Sequence, residues 1–139
     1  MKKLFIAAML TFLATIGTAS AAEKVSPTTV AGATTVDAVA AKALFDRGVP
    51  FVDVRTEELW DLSRVPDAIF LELFTAFNEA NILKVAAKDQ EVVIYCAGAN
   101  CNRSSKACAK AIKWGFQKVY YFRGGFPAWQ AAGYPTDPP

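Results

Sequence analysis

Val92-Val93-Ile94-Tyr95 is an uninterrupted run of β-branched and aromatic residues with no polar alternation. A strand with one wet face alternates; a strand covered on both faces does not, and such strands belong to parallel sheets with helices on both sides. The run predicts an α/β chain, and the rest of the sequence agrees with it. Phe51-Val52-Asp53-Val54 after Pro50, Ala68-Ile69-Phe70-Leu71 after the break at Val65-Pro66, and Val119-Tyr120-Tyr121-Phe122 read as further short strands. Helical patterns lie between them. Thr35 offers an N-cap to a helix striped by Val36, Val39, Ala40, Ala43 and Leu44 and closed by Gly48. Thr56 precedes a short helix with Glu57 and Glu58 in its first turn, and a third helix is expected from Thr75 to about Ala87. A fourth runs from Arg103 to Trp114 and stops at Gly115, with Ala107, Cys108, Ala111 and Ile112 inward and Lys106, Lys110 and Lys113 outward. A last short helix carries Trp129. Trp60, Trp114, Trp129 and most of the phenylalanines are expected in the core.

The first residues belong to a different pattern. Lys2 and Lys3, the apolar run Leu4 to Leu13 and the small-residue end Ala19-Ser20-Ala21 have the order of a secretory signal peptide, too short and too polar near its end for a membrane span. Residues 1–21 are therefore expected to be a leader, 22–33 an arm with a short strand at Thr28 to Val30, 34–135 one domain and 136–139 a tail. Without the leader and its two lysines, 13 basic side chains remain against 13 acidic ones. There is no basic stripe, so nucleic acid and acidic membrane surfaces are not expected as partners. Export, to a bacterial periplasm, follows from the leader.

The chain contains no histidine and three cysteines, Cys96, Cys101 and Cys108. That removes Ser-His-Asp and Cys-His nucleophiles, imidazole bases, and His- or four-Cys zinc sites, so neither metal nor organic cofactor is expected. What remains is cysteine chemistry supported by backbone dipoles. Cys96 ends the strongest strand, and ligands of parallel α/β sheets sit beyond the C-terminal ends of strands. The loop Ala97-Gly98-Ala99-Asn100-Cys101-Asn102, with Arg103 and Ser104 opening the next helix, is expected to cradle an anion, and its N–H groups and the helix dipole to hold the Cys96 thiolate. Cys108, on an apolar helix face, is expected to be a small core residue.

Four stretches then make the chain resemble a single-domain rhodanese: FVDVR (51–55), SRVPDAIFL (63–71), VIYCAGANCNRSSKACAKA (93–111) and VYYFRGGFPAWQAAGYP (119–135). They follow the family's order over nearly the whole chain beyond the leader. The resemblance implies a rhodanese-like α/β domain in which Cys96 takes sulfane sulfur from a donor such as thiosulfate, holds it as a persulfide, and passes it to a thiol or cyanide-like acceptor. A protein thiol is a further partner it allows. Asp53 and Arg55 match the family's Asp-x-Arg and are expected to be scaffold, while Arg103 is expected to contact the anion.

The sequence departs from the family pattern in two places. Six residues separate Cys96 from Arg103, where rhodaneses have four and their phosphatase relatives five, so the cradle fits a larger or differently shaped anion. The family's Gly-His-Ile-Pro-Gly segment is replaced by Ser63-Arg64-Val65-Pro66-Asp67. Cys101 in the loop has three available roles: attack on a Cys96 persulfide with release of sulfide, a redox disulfide with Cys96, or none. Four intervening residues curled around an anion need not bring the two Cα atoms within the ~7 Å of a bridge. Beside the sulfurtransferase stand two other readings, a non-catalytic rhodanese-like binding module and a thiol-disulfide protein using Cys96 and Cys101.

Overall fold

A computed structural model describes residues 25–139; the leader reading and the start of the arm lie outside the described residues. Five strands, β1 (Thr34–Thr35), β2 (Phe51–Asp53), β3 (Ile69–Phe70), β4 (Glu91–Tyr95) and β5 (Lys118–Phe122), alternate with helices α1 (Ala38–Asp46), α2 (Glu57–Leu62), α3 (Glu79–Leu83), α4 (Arg103–Lys113) and α5 (Gly125–Ala131). They form one sheet in the order β1-β5-β4-β2-β3, and every pairing is parallel.

The apolar run that suggested this architecture is the central strand. β4 pairs Val93 with Phe51 of β2 and with Tyr120 of β5. Its side chains divide by parity, as strand geometry requires. Val92, Ile94 and Cys96 join one core with Ile82 of α3 and Ala107, Cys108 and Ala111 of α4. Val93 and Tyr95 join a second with Ala41 and Leu44 of α1 and Phe126 and Trp129 of α5. Both faces of β4 are dry, so polar alternation would have buried unpaired polar groups.

Local details differ from the sequence reading. The first strand is Thr34–Thr35, not Thr28 to Val30, because its partners Tyr120 and Tyr121 lie alongside those threonines. α1 starts two residues later than the Thr35 cap implies. Asp37 caps it, its carboxylate accepting from Ala40 N at 2.8 Å, while Thr35 is held in the sheet. The stripe shifts with it: Ala41 and Leu44 are buried and Val39 is 70% exposed. The helix expected over 75–87 shrinks to α3, capped by Asn78 through Asn81 N at 2.9 Å. Asn side chains that can bond the backbone locally favour a cap over a helix interior, and this one starts the helix rather than riding in it. Trp129 is fully buried and donates its indole N–H to Pro135 O at 2.6 Å, whereas Trp60 and Trp114 are only partly covered. Residues 136–139 are tied back: Arg64 and Asp137 exchange backbone hydrogen bonds of 3.0 and 2.9 Å.

Candidate active site

β2 and β4 are neighbours, but β2 leads by α2 to β3 on one side and β4 leads by α4 to β5 on the other. The crevice between their C-terminal ends is thus the point where connections diverge, the place where open parallel sheets bind ligands. Cys96 stands there, one residue beyond β4, completely buried, with Phe126 N donating to its carbonyl at 3.0 Å.

The loop after Cys96 is built to leave donors free. Gly98 takes φ +113°, a region that suits glycine, and its carbonyl accepts from Cys101 N at 3.0 Å, closing a turn. Among the described residues the N–H groups of Ala97, Gly98, Ala99, Asn100 and Asn102 have no protein acceptor. Asn102 stands at the N-cap of α4 without a side-chain cap bond, so the first-turn N–H groups of that helix are open as well. Ser104 is buried in that turn and its hydroxyl has no partner among the described residues. Five loop donors, an uncapped eleven-residue helix and an orphaned hydroxyl favour negative charge here.

The loop also brings the two cysteines together. Cys96 and Cys101 form a disulfide with Cα atoms 6.6 Å apart, within bridging distance, because the turn at Gly98 folds the intervening residues outward. Cys101 is partly exposed and covers Cys96. Cys108 lies apart in the core, where burial pushes its thiol well above the ordinary range.

The arginines do not do what was expected of Arg103. Its guanidinium is paired with Glu72, reaches Val54 O at 3.4 Å and lies 4.9 Å from the Phe74 ring centre. That ion pair fixes the start of α4 to the segment after β3. Arg55 is taken up by Asp53 and by Ser63 O at 2.8 Å, and Arg123 by Ser26 O at 3.0 Å and Pro27 O at 3.1 Å. The three arginines that follow β2, open α4 and follow β5 are all committed to protein acceptors. In the replaced segment Ser63 supplies that carbonyl, Val65 is buried with its N–H on the Tyr95 hydroxyl at 3.2 Å, and Asp67 stands at φ +58° in the place of the family's last glycine.

Three contributors went unnoticed in the sequence. Ser26 in the arm donates both its N–H (2.8 Å) and its hydroxyl (2.9 Å) to Ala99 O, bracing the tip of the loop. Nothing in its local sequence marks it. Glu72 gathers Phe74 N, Thr75 N and the Thr75 hydroxyl, each at 2.8 Å, besides Arg103. Finally, a mainly apolar cavity of about 350 Å³ opens beside the loop, walled by Leu59, Leu62, Ala97, Phe126 and Pro127, with Arg55, Ser63 and Gln130 also lining it.

Burial opposes charge on Glu72, and its hydrogen bonds from Arg103, Thr75 and Phe74 outweigh that, holding the carboxyl at about 2 against an ordinary 4.5. A carboxyl depressed in the folded state stabilises the fold fully above its unfolded value and loses that contribution as pH falls through its folded value. The stability difference between the wild-type protein and Glu72→Gln is therefore expected to be constant above about pH 4.5 and to shrink toward pH 2. Glu91, likewise held at about 2 by Arg47 and Tyr120, is common to both proteins and cancels. Urea titrations of both proteins over that range are the check; a difference that does not change with pH would mean that Glu72 is not ionised through this network.

A parallel sheet, a cysteine on an amide-rich loop at its switch point and the helix behind it define a thiol-centred α/β domain of the rhodanese type. The chain belongs to the rhodanese family: the model for the rhodanese-like domain matches residues 37–132. It is 31% identical over 97 residues to a thiosulfate sulfurtransferase, GlpE, of Pseudomonas syringae, covering 70% of this chain and 86% of that one. It is 29% identical over 126 residues to the mitochondrial protein HIGH ARSENIC CONTENT 1 of Arabidopsis thaliana, covering 84% and 73%. A crystal structure of a Bacillus halodurans protein superposes with a TM-score of 0.65 at 27% identity, covering 75% of this chain and 76% of that one.

Proposed function

We propose that the protein is an exported sulfurtransferase that carries sulfane sulfur on Cys96. The observation that supports this most directly is the run of unpaired loop amides and the uncapped start of α4 beside a cysteine at the sheet's switch point. Such a field lowers a thiol pKa and supports the anionic outer sulfur of a persulfide. The step is a displacement: the Cys96 thiolate attacks the outer sulfur of a donor, the S–S bond of the donor breaks, and sulfite leaves when the donor is thiosulfate. A thiophilic acceptor then takes the sulfur. Because Cys96 is covered by Cys101 in the disulfide, that bond has to be reduced before the first turnover.

The donor has a mainly apolar cavity beside the loop to enter, and Arg55, the one charged group that lines it, is already paired with Asp53. An aryl thiosulfonate offers the same sulfane sulfur with a ring for that cavity. Partial burial of the ring at about 1.5 kcal/mol makes benzenethiosulfonate the better donor over thiosulfate by about tenfold in kcat/KM.

In the test, the protein is reduced, freed of reductant without oxygen, mixed with either donor and quenched in alkylating agent within the first turnover. One sulfite or benzenesulfinate per protein and one added sulfur on the Cys96 peptide are expected, with Cys96→Ser as the blank. No donor remnant from either compound would overturn the transferase reading. Remnants formed equally fast from both donors would leave the transferase standing and remove the role of the cavity.

A further inference from the structure

The structure assigns a second chemical step to Cys101: it resolves the Cys96 persulfide and releases the carried sulfur as hydrosulfide, making the protein a sulfane-sulfur reductase as well as a carrier. This rests on the transferase reading above and concerns the fate of the sulfur once it is on Cys96.

The geometry for that step exists in the loop. The Gly98 turn sets the Cα atoms of Cys96 and Cys101 6.6 Å apart with their sulfurs bonded, so the Cys101 thiolate reaches the Cys96 sulfur with the loop in its folded form. Ser26 holds the tip of that loop through Ala99 O by two hydrogen bonds. The third thiol, Cys108, is buried in the core and unavailable. Cys101 is partly exposed, so a reductant meets it before Cys96.

The balance is simple. In the persulfide, Cys96 Sγ is the inner sulfur. The Cys101 thiolate attacks it, the bond to the outer sulfur breaks, and the outer sulfur leaves as hydrosulfide with the proton Cys101 gave up. Hydrogen sulfide is a stronger acid than a cysteine thiol, so its anion is the better leaving group. The product is the Cys96–Cys101 disulfide. A dithiol reduces it by two successive exchanges, taking up the disulfide itself. Over one cycle a thiosulfate and a dithiol become sulfite, hydrosulfide, a proton and the oxidised dithiol.

The experiment follows the anaerobic reaction with thiosulfate or benzenethiosulfonate to completion, with no reductant present, and counts donor remnant, sulfide and free thiols. The wild-type protein is expected to release about one sulfide per remnant and to fall from three free thiols to one, as the stoichiometry requires. In Cys101→Ala and Cys101→Ser, remnant is expected without sulfide, and the added sulfur stays on Cys96. Two variants of different polarity separate loss of the thiol from a misfolded loop, and product ratio rather than rate is the readout. Remnant without sulfide in the wild-type protein, the persulfide persisting or moving to Cys101, would overturn the resolving step alone. Sulfide from either Cys101 variant would overturn it too. Absence of remnant from the wild-type protein would instead overturn the transferase reading and the resolving step with it.

Discussion

Asp53→Ala is expected to lower the unfolding free energy by about 3–5 kcal/mol, a large share of the ~5–15 kcal/mol that holds a domain of this kind together. Asp53 is fully buried and Arg55 is 3% exposed. The carboxylate accepts from Arg55 Nε at 3.0 and 2.9 Å, from Nη2 at 2.7 Å and from the Arg55 backbone N–H at 3.0 Å. The guanidinium also lies 4.6 Å from the Phe126 ring centre and 5.6 Å from that of Tyr95, so most of its surroundings are apolar. Removing the carboxylate strands a cation that is almost wholly buried, and that desolvation sets the size of the effect. The double variant Asp53→Ala/Arg55→Met, which removes both charges, is expected to recover part of the loss. Urea unfolding followed by far-UV circular dichroism measures both. Equal losses in the single and double variants would show that packing, not the uncompensated charge, dominates.

The second large effect falls on the site itself. Gly125→Ala is expected to cost about 2–4 kcal/mol and to cut sulfur uptake even in molecules that remain folded. Gly125 has φ +59°, and a methyl group there would collide with the carbonyl oxygen of Cys96 while lying 2.9 Å from both Cys96 C and Gly98 N. Those atoms are backbone and have no rotamer to move to. The collision displaces the nucleophile's own peptide group, which is held by Phe126 N, together with the turn that presents the loop amides. Gly133→Ala is the natural control: its φ is +74° but none of the described residues would lie within 4 Å of the added methyl group, so only the conformational term remains, about 1–2 kcal/mol, with uptake unchanged. Thermal unfolding and the donor-remnant assay separate the two effects. An uptake unchanged in Gly125→Ala would mean that the loop's backbone position does not matter to the chemistry.

These two positions also show where sequence reading ran out. Asp53 and Arg55 stand two residues apart, and the family resemblance was enough to expect a scaffold pair. Its burial and the further bond from Arg55 to Ser63 O depend on the return of the chain eight residues after Arg55. Gly125 was visible only as part of Arg123-Gly124-Gly125 after a strand. That its α-carbon touches the backbone behind Cys96 is a contact between residues far apart in the chain, with no local pattern to record it. Arg103 makes the same point in reverse. At the start of a helix below an anion loop it reads as an anion contact, yet Glu72, 31 positions away, claims it.

The parallel sheet, its central strand, the cysteine at the strand's tip and the helix behind the loop were legible because each is written in residues adjacent along the chain: a β-branched run that tolerates no water, a glycine-bearing loop, a helical stripe. Hydrophobic periodicity and loop composition are local quantities, and they set which elements form and in what order. The partners of charged side chains, the closure of Cys101 over Cys96, the brace from Ser26 and the apolar cavity were decided only when the elements packed. A guanidinium or a thiol takes whichever partner the fold brings within a few ångströms, and that distance is fixed by tertiary geometry rather than by sequence spacing.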